Sequence, residues 1–379
     1  MKENKFFPEI RGRFGFGCMR LPMAGEDVDL PQFTQMVDAF LAAGLNYFDT
    51  AHGYLGGKSE TALRAALTER YPRDKYVLTD KLSGAYFQSE DDIVPLVESQ
   101  LAACGVEYFD FFLMHAQDAR GFEKYKRCHA YEKAAELKAA GKIRHFGISF
   151  HDKAEVLDRI LTEYPQIEVV QIQFNYADYD NISVECGKVY ETAVKHGKPV
   201  FVMEPVKGGS LALLPDKAQA VFDALGGSSA SYALRFAAGF ENVAVVLSGM
   251  SAMEQMTENL SFMADPQPLS ETESAAVKEV QSILEGMNAI ECTGCHYCVL
   301  DNDCPQQIRI PELFACYNSK TIFHNFNQNF YYSIITSTSG KASECAECGG
   351  CEDICPQHLP IRELLKQVAK EFETRRPRP

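Results

Sequence analysis

The sequence predicts an α/β fold: a (β/α)8 TIM barrel followed by a second, smaller domain. Two observations support this prediction. Short runs of β-branched or aromatic residues alternate with longer helical patterns eight times before residue 264, and eight strand–helix pairs in about 250 residues suit a closed parallel barrel. Further along the chain, nine of the 13 cysteines are crowded into positions 292–355. We therefore expect the barrel to occupy residues 1–285 and the second domain residues 286–379.

The predicted barrel elements follow one another in a regular order. The eight strands are expected at residues 13–21, 45–49, 76–81, 108–115, 143–150, 169–174, 199–203 and 243–247. The helices that follow them are expected at residues 30–43, 59–70, 92–104, 128–140, 153–164, 184–196, 229–238 and 252–263. Several of these helices stop at a glycine, as at Gly105 and Gly141, which is a common helix terminator.

A doubly wound open sheet is the alternative architecture for such an alternation. That fold commonly carries a G-x-G-x-x-G phosphate-binding turn after its first strand. Here the early glycines are Gly12, Gly15 and Gly17, and their spacing does not fit that turn. The closed barrel is therefore the preferred fold.

Composition limits the partners and the compartment. The formal net charge of −15 disfavours binding to polyanions, so we expect neither nucleic acid nor a membrane surface as a partner. The N-terminus has no apolar signal core, and the expected location is cytoplasmic. Disulfides rarely persist in that compartment, so clustered cysteines predict metal binding. We interpret the scattered Cys18, Cys104, Cys128 and Cys186 as core residues.

The clustered cysteines form two similar runs. Each has three cysteines at steps of three residues followed by a Cys-Pro pair: Cys292, Cys295, Cys298 and Cys304 in the first run, and Cys345, Cys348, Cys351 and Cys355 in the second. This spacing is typical of bacterial ferredoxins and predicts two [4Fe–4S] clusters. Zinc sites favour two separated cysteine pairs instead. Cys316, between the runs, is interpreted as a packing residue.

The second domain as a whole resembles the mainly α-helical, ferredoxin-like iron–sulfur domains attached to larger oxidoreductases. In two-cluster ferredoxins the fourth cysteine of each run serves the other cluster. By that analogy Cys355 would complete the first site and Cys304 the second.

Four polar residues lie at or just beyond the ends of predicted barrel strands. Asp49 closes the second strand, Tyr54 lies in the following loop, and Lys81 and His115 close the third and fourth strands. Polar residues at the carboxyl ends of barrel strands are commonly catalytic. Each of the four, taken alone, also suits a structural role.

The segments around these residues resemble the aldo/keto reductase family. The resemblance covers about residues 10–263, and its motifs lie at residues 47–51, 78–81, 112–115, 141–144, 147–149 and 258–259. It implies that Tyr54 is the general acid that protonates a carbonyl oxygen. Lys81 would stabilise the tyrosine anion, Asp49 would hold the lysine, and His115 would orient a small-molecule carbonyl substrate.

The same resemblance implies a nicotinamide cofactor, NADPH or NADH. Ser149, Gln171 and Asn175 would contact the carboxamide and the ring. The adenosine end would be held by Gly249, Ser251, Gln255 and Asn259. Gln255 stands where NADPH-preferring members usually carry a basic residue, so the choice between the two nucleotides stays open.

Three functions agree with these observations. The preferred one is a carbonyl reductase that takes hydride from NAD(P)H and carries its clusters for electron transfer. The alternatives are a reductase fed by ferredoxin or another carrier without direct nicotinamide use, and a redox-sensing cluster protein with an inactive barrel. Hydride and single-electron chemistry usually meet at a flavin. The sequence has no recognisable flavin motif, and a flavin stays possible.

Overall fold

The computed structural model describes residues 4–300, 302–324 and 326–374. Eight parallel strands close into a barrel in which each strand pairs with the next and the last pairs with the first. We number them β1 (Phe14–Gly17), β2 (Tyr47–Asp49), β3 (Val77–Leu82), β4 (Phe109–Gln117), β5 (Ile143–Phe150), β6 (Val169–Gln173), β7 (Val200–Met203) and β8 (Val243–Gly249). The predicted (β/α)8 architecture is confirmed.

Helices surround this barrel. They are α1 (Leu30–Ala42), α2 (Lys58–Leu63), α3 (Ile93–Cys104), α4 (Ala119–Arg127), α5 (Ala130–Ala139), α6 (Ala154–Glu163), α7 (Cys186–Lys195), α8 (Asp216–Asp223), α9 (Ser229–Ala238), α10 (Met253–Met263) and α11 (Glu271–Glu285). Their buried apolar faces pack on the outer surface of the strands and form the main core.

The observed elements differ from the predicted ones in five places. The first strand ends at Gly17, and the rest of its predicted range runs toward a small antiparallel hairpin, Met23–Ala24 with Asp27–Val28. The predicted helix at 59–70 is divided, because α2 passes into one π-helical turn over Arg64–Thr68. In addition, α4, α8 and α11 lie outside the predicted set.

Aromatic side chains fill the barrel interior and close its amino-terminal end. Phe7 plugs this end and contacts Phe111 with ring centroids 4.8 Å apart. Beside them, His145 bridges Glu9 and Glu168, with both N–O distances at 2.8 Å. Burial lowers the pKa of His145, but the hydrogen bonds to the two glutamates outweigh it and raise that pKa to about 9. This end of the barrel is therefore a stability element.

The second domain is mainly helical, as predicted. Its helices are α12 (Tyr297–Leu300), α13 (Ile310–Phe323), α14 (Asn327–Ile335), α15 (Gly350–Asp353) and α16 (Ile361–Phe372). The apolar face of α16 is buried through Ile361, Leu365 and Val368. None of the helices in the described ranges combines the length and apolar character that crossing a membrane requires. The domain boundary after residue 285 stays a prediction.

The second domain packs directly on the carboxyl-terminal end of the barrel. On α14, the Tyr331 hydroxyl donates to Oε1 of Gln173, the last residue of β6. One helical turn earlier, Asn327 donates to Oε2 of Glu204 at 2.9 Å, just after β7. Because active sites of such barrels lie at this end, α14 adjoins the candidate site.

Candidate active site

Asp49, Tyr54 and Lys81 come together at the carboxyl-terminal end of the barrel. Asp49 lies beside Thr79 in the register between β2 and β3, and Lys81 is two residues further on, so its side chain points to the same interior face. Its ammonium donates to Asp49 Oδ1 at 2.6 Å and to the Thr50 carbonyl at 2.7 Å. The same ammonium lies 3.5 Å from the Tyr54 hydroxyl.

Burial and neighbouring charges determine the protonation states of Lys81 and Tyr54. Burial lowers the pKa of Lys81, but the adjacent Asp49 carboxylate and the Tyr54 hydroxyl outweigh burial and raise it overall. Lys81 is therefore charged at neutral pH. Burial raises the pKa of Tyr54, and the Lys81 ammonium opposes that rise. The tyrosine thus keeps its proton in the resting site, next to a cation that would stabilise its anion.

His115 lies beside Tyr54, with the two rings edge to face and their centroids 5.8 Å apart. Burial and the nearby charge of Lys81 hold the pKa of His115 well below its usual range, so its ring is neutral. Its Nδ1 lies 2.6 Å from the Ser83 hydroxyl. When Ser83 donates this bond, the ring proton resides on Nε2, which can then donate to a substrate.

These residues open into a cavity of about 630 Å³ at the mouth of the barrel. Most of the predicted site residues line it, namely Asp49, Tyr54, His115, Ser149, Gln171, Gly249, Ser251, Gln255 and Asn259. Lys81 lies beneath Asp49 and Tyr54. Asn175 is buried outside the lining, and its side chain bonds to Asp178 and to the Glu204 carbonyl. Its predicted contact with a cofactor stays a prediction.

Ser149 and Gln171 are neighbours in the register between β5 and β6. The Gln171 amide donates to Asp49 Oδ2 at 2.9 Å, which directs its own carbonyl oxygen elsewhere. The Ser149 hydroxyl oxygen accepts the Ala116 amide at 2.9 Å and keeps its hydrogen to donate. Together they present one acceptor and one donor, which is the pattern that a carboxamide requires.

The segment after β8 forms the far side of the cavity. Gln255 accepts the backbone N–H of Ser251 at 2.7 Å, and Asn259 donates to the Ser248 hydroxyl at 3.3 Å. Among the described residues that line the cavity, Arg20 is the only lysine or arginine. Its guanidinium lies 3.4 Å from Glu204 Oε1. This side of the cavity therefore offers little positive charge.

Three cysteines of the first run surround a small apolar pocket together with one cysteine of the second run. Cys292, Cys295, Cys298 and Cys355 all line it, so the four cysteines expected to share one cluster lie close together, and their role as ligands stays a prediction. In the second run, burial and then the charges of Cys345 and Cys348 raise the pKa of Cys351. These three thiols are therefore neighbours. The assignment of Cys304 stays a prediction. Cys316 and the four cysteines of the barrel are buried.

The sequence matches the profile of the aldo/keto reductase family over residues 13–282. The chain belongs to the aldo/keto reductase family. It is therefore an oxidoreductase, and it carries an additional domain, because residues 291–359 match the 4Fe-4S dicluster domain.

Relatives of this aldo/keto reductase extend over the barrel. The uncharacterized oxidoreductase YqkF of Bacillus subtilis is 25% identical over 297 residues, 70% of this chain and 90% of that protein. The NADH-specific methylglyoxal reductase of Escherichia coli is 26% identical over 162 residues, 38% of this chain and 48% of that protein. The crystal structure of an aldo-keto reductase from Klebsiella pneumoniae in complex with NADPH has a TM-score of 0.62 at 20% identity and covers 74% of this chain and 95% of that one.

The sequence did not predict several residues of the reductase cavity. His151 follows β5 and contacts Phe330 with ring centroids 5.1 Å apart. Gln173 ends β6 as Asp49 ends β2, and Glu204 directly follows β7, so a position at a strand end could have indicated both residues. The α14 residues Asn327, Phe330 and Tyr331 also line the cavity. Nothing in their spacing indicates contact with a barrel that ends far earlier in the chain.

A buried acidic group lies next to the candidate site. Glu60, Asp80 and Cys104 place their ligand atoms within 4.8 Å of one another. Burial raises the pKa of Glu60 to about 7, although the hydrogen bond with Asp80 opposes that rise, and burial and the charge of Glu60 raise the pKa of Asp80. Asp80 Oδ1 accepts the Lys81 backbone N–H at 2.7 Å. The two carboxyl groups are best described as sharing a proton.

Proposed function

We propose that the barrel reduces a carbonyl compound with hydride from NADPH or NADH, and that Tyr54 is the general acid. The observation that carries this proposal is the buried Lys81 ammonium, which lies 2.6 Å from Asp49 and 3.5 Å from the Tyr54 hydroxyl. The hydroxyl faces a cavity large enough for a cofactor and a small substrate.

Tyr54 would donate its proton to the carbonyl oxygen as negative charge develops there. A tyrosine is a weak acid at neutral pH, so its anion must be stabilised during the transfer. At 3.5 Å and an effective dielectric constant of about 20, the Lys81 charge would stabilise a full tyrosinate by about 5 kcal/mol. Asp49 holds the lysine at that distance. General acid catalysis contributes about 10²–10⁴-fold to the rate.

His115 would orient the substrate. Because its ring is neutral and Ser83 is placed to donate to Nδ1, Nε2–H is available to donate to the same carbonyl oxygen. A neutral donor polarises the carbonyl without competing with Tyr54 for the role of acid. Tyr54 and His115 would therefore fix the oxygen from two sides.

The cavity fits a nicotinamide cofactor. Gln171 would accept a hydrogen bond from the carboxamide nitrogen, and Ser149 would donate one to its oxygen. When bound, the reduced nicotinamide supplies the hydride. The solved Klebsiella relative is a complex with NADPH, whereas the Escherichia coli relative is named as NADH-specific. With Gln255 at the expected position of the 2′-phosphate contact, we propose that this chain has no strong preference for NADPH.

The second domain would hold two [4Fe–4S] clusters and pass electrons singly. Cys292, Cys295, Cys298 and Cys355 would hold one cluster, and Cys345, Cys348, Cys351 and Cys304 the other. Since α14 of this domain lines the catalytic cavity, a second candidate function is favoured by position. In it, ferredoxin or another carrier exchanges electrons with the barrel site through the clusters, and a flavin would then be needed where hydride and single electrons meet.

The test of the main proposal uses protein purified without oxygen, so that the clusters stay intact. NADPH or NADH absorbance is followed after benzaldehyde or methylglyoxal is added. We expect aldehyde-dependent oxidation of at least one nucleotide, and a fall of about 10²-fold or more in kcat for Tyr54→Phe. Unchanged turnover in Tyr54→Phe, or no turnover by the unaltered protein, would contradict the proposal.

The second candidate is tested by adding either nucleotide without aldehyde. Bleaching of the broad visible absorbance of the clusters would mean that hydride electrons reach them. Tight nucleotide binding without bleaching would leave a carbonyl reductase whose clusters do not receive these electrons. Binding of neither nucleotide would favour ferredoxin or another carrier as the electron donor.

A further inference from the structure

Resting on the function proposed above, we infer that Phe330, which α14 of the iron–sulfur domain supplies, determines the substrate specificity of the barrel. It selects an uncharged carbonyl compound whose planar apolar group packs against its ring. The specificity residue thus belongs to the dicluster domain and not to the barrel that performs the reaction.

Two hydrogen bonds fix the orientation of α14 over the cavity. Tyr331 donates to Gln173, and Asn327 donates to Glu204 at 2.9 Å. Residues 327 and 331 are four apart and therefore lie on one helix face. Phe330 is three residues after Asn327 and lies toward the same face. Its side chain is held against the barrel mouth by these two neighbours.

Phe330 continues the wall that begins at the catalytic residues. The Tyr54 ring contacts His115, and the Phe330 ring lies edge to face against His151, with centroids 5.1 Å apart. His151 is close enough to His115 to contribute, after burial and Lys81, to the lowering of its pKa. Phe330 is still 40% exposed, so much of its surface is available to a ligand in the cavity. A substrate carbonyl held by Tyr54 and His115 would extend its remaining atoms along this wall.

The charges around the cavity determine the rest of the substrate class. Among the described lining residues, the one guanidinium, on Arg20, faces Glu204 at 3.4 Å. A carboxylate or phosphate on the substrate would therefore meet no unpaired cation. Burying an unpaired anion is costly, whereas an aromatic ring packed against Phe330 gains both apolar burial and edge-to-face contact.

The experiment compares three aldehydes with anaerobically purified, cluster-loaded protein. Benzaldehyde carries a planar apolar group, 4-carboxybenzaldehyde adds a negative charge to the same ring, and propionaldehyde lacks the ring. Phe330→Ala is measured beside Phe326→Ala, a matched control because Phe326 precedes α14, is 79% exposed and lies outside the cavity lining. Phe330→Tyr keeps the ring and serves as the conservative variant.

We expect Phe330→Ala to raise KM for benzaldehyde about tenfold while kcat and the propionaldehyde kinetics change little. Phe330→Tyr should restore KM, and Phe326→Ala should behave like the unaltered protein. The unaltered protein should use 4-carboxybenzaldehyde at least about tenfold less well than benzaldehyde. Equal effects of Phe330→Ala on all three aldehydes, or a preference for the charged one, would overturn this inference alone. No turnover of any aldehyde with either nucleotide would overturn the proposed function and the inference together.

Discussion

A single and a double variant at Lys81 separate the effect of its ammonium on catalysis from its effect on stability. In Lys81→Met the buried Asp49 carboxylate loses the cation that lies 2.6 Å away. Breaking a buried pair in this way costs about 3–5 kcal/mol of unfolding free energy. The double variant Lys81→Met/Asp49→Asn removes both charges, and the new amide oxygen can still accept the Gln171 hydrogen bond. We expect the double variant to recover most of the lost stability.

The catalytic loss should persist in both variants. An ammonium 3.5 Å from the Tyr54 oxygen is worth about 5 kcal/mol to a full tyrosinate. With the proton about half transferred in the transition state, the loss is about 2–3 kcal/mol, or a fall in kcat of about 30- to 150-fold.

Two measurements test this reasoning. Urea unfolding followed by circular dichroism gives the stability of the single and double variants, and anaerobic steady-state kinetics with benzaldehyde gives kcat. Cluster absorbance checks that the second domain is intact. A double variant that is stable and keeps the kcat of the unaltered protein would refute the role given to Lys81. A single variant as stable as the unaltered protein would refute the importance of the buried pair.

Three further predictions follow from charges in the barrel. Gln255→Arg should raise kcat/KM for NADPH relative to NADH by about tenfold, measured by nucleotide titration at saturating aldehyde. His145 has a pKa raised from 6.5 to about 9, so its stabilising effect is complete below pH 6.5 and is lost as pH rises through 9. Thermal unfolding should show that His145→Gln loses up to about 3 kcal/mol of unfolding free energy at pH 6 and little at pH 10. Glu60 has a pKa raised from 4.5 to about 7, so the unaltered protein should lose stability as pH rises from 4.5 through 7. The urea midpoint of Glu60→Gln, compared with that of the unaltered protein, should therefore be higher at pH 8 than at pH 5. The exposed Glu26→Gln is the matched control, and the shared proton would be contradicted if Glu60→Gln showed no pH-dependent gain relative to it.

The barrel was predictable because its signals are local. Strands with buried, nearly continuous apolar sequences and helices with one apolar face repeat along the chain, and each can be recognised within a dozen residues. The helix α4 was missed because its own local signal is too short. Its apolar face has only two buried residues, Phe122 and Tyr125, within nine, and nine residues are fewer than the window over which a helical period can be recognised.

The position of the candidate site residues was predictable because strand ends of a parallel barrel meet at one rim. That rule brings Asp49 and Lys81 together without knowledge of the tertiary structure. It cannot predict a contact such as Tyr331 with Gln173, which are 158 residues apart. Nor does it distinguish a side chain that faces the cavity from one such as Asn175, which the loop itself holds through Asp178.

The position of α14 limits how the two domains of this protein can evolve separately. Tyr332 of the same helix accepts the Ala342 backbone N–H at 3.1 Å, in the turn that leads to Cys345. One helix thus contributes both to the lining of the barrel cavity and to the contact with the turn before the second cysteine run. The two domains are therefore not independent modules, because replacing the iron–sulfur domain by a homologue would also replace the α14 residues that line the barrel cavity.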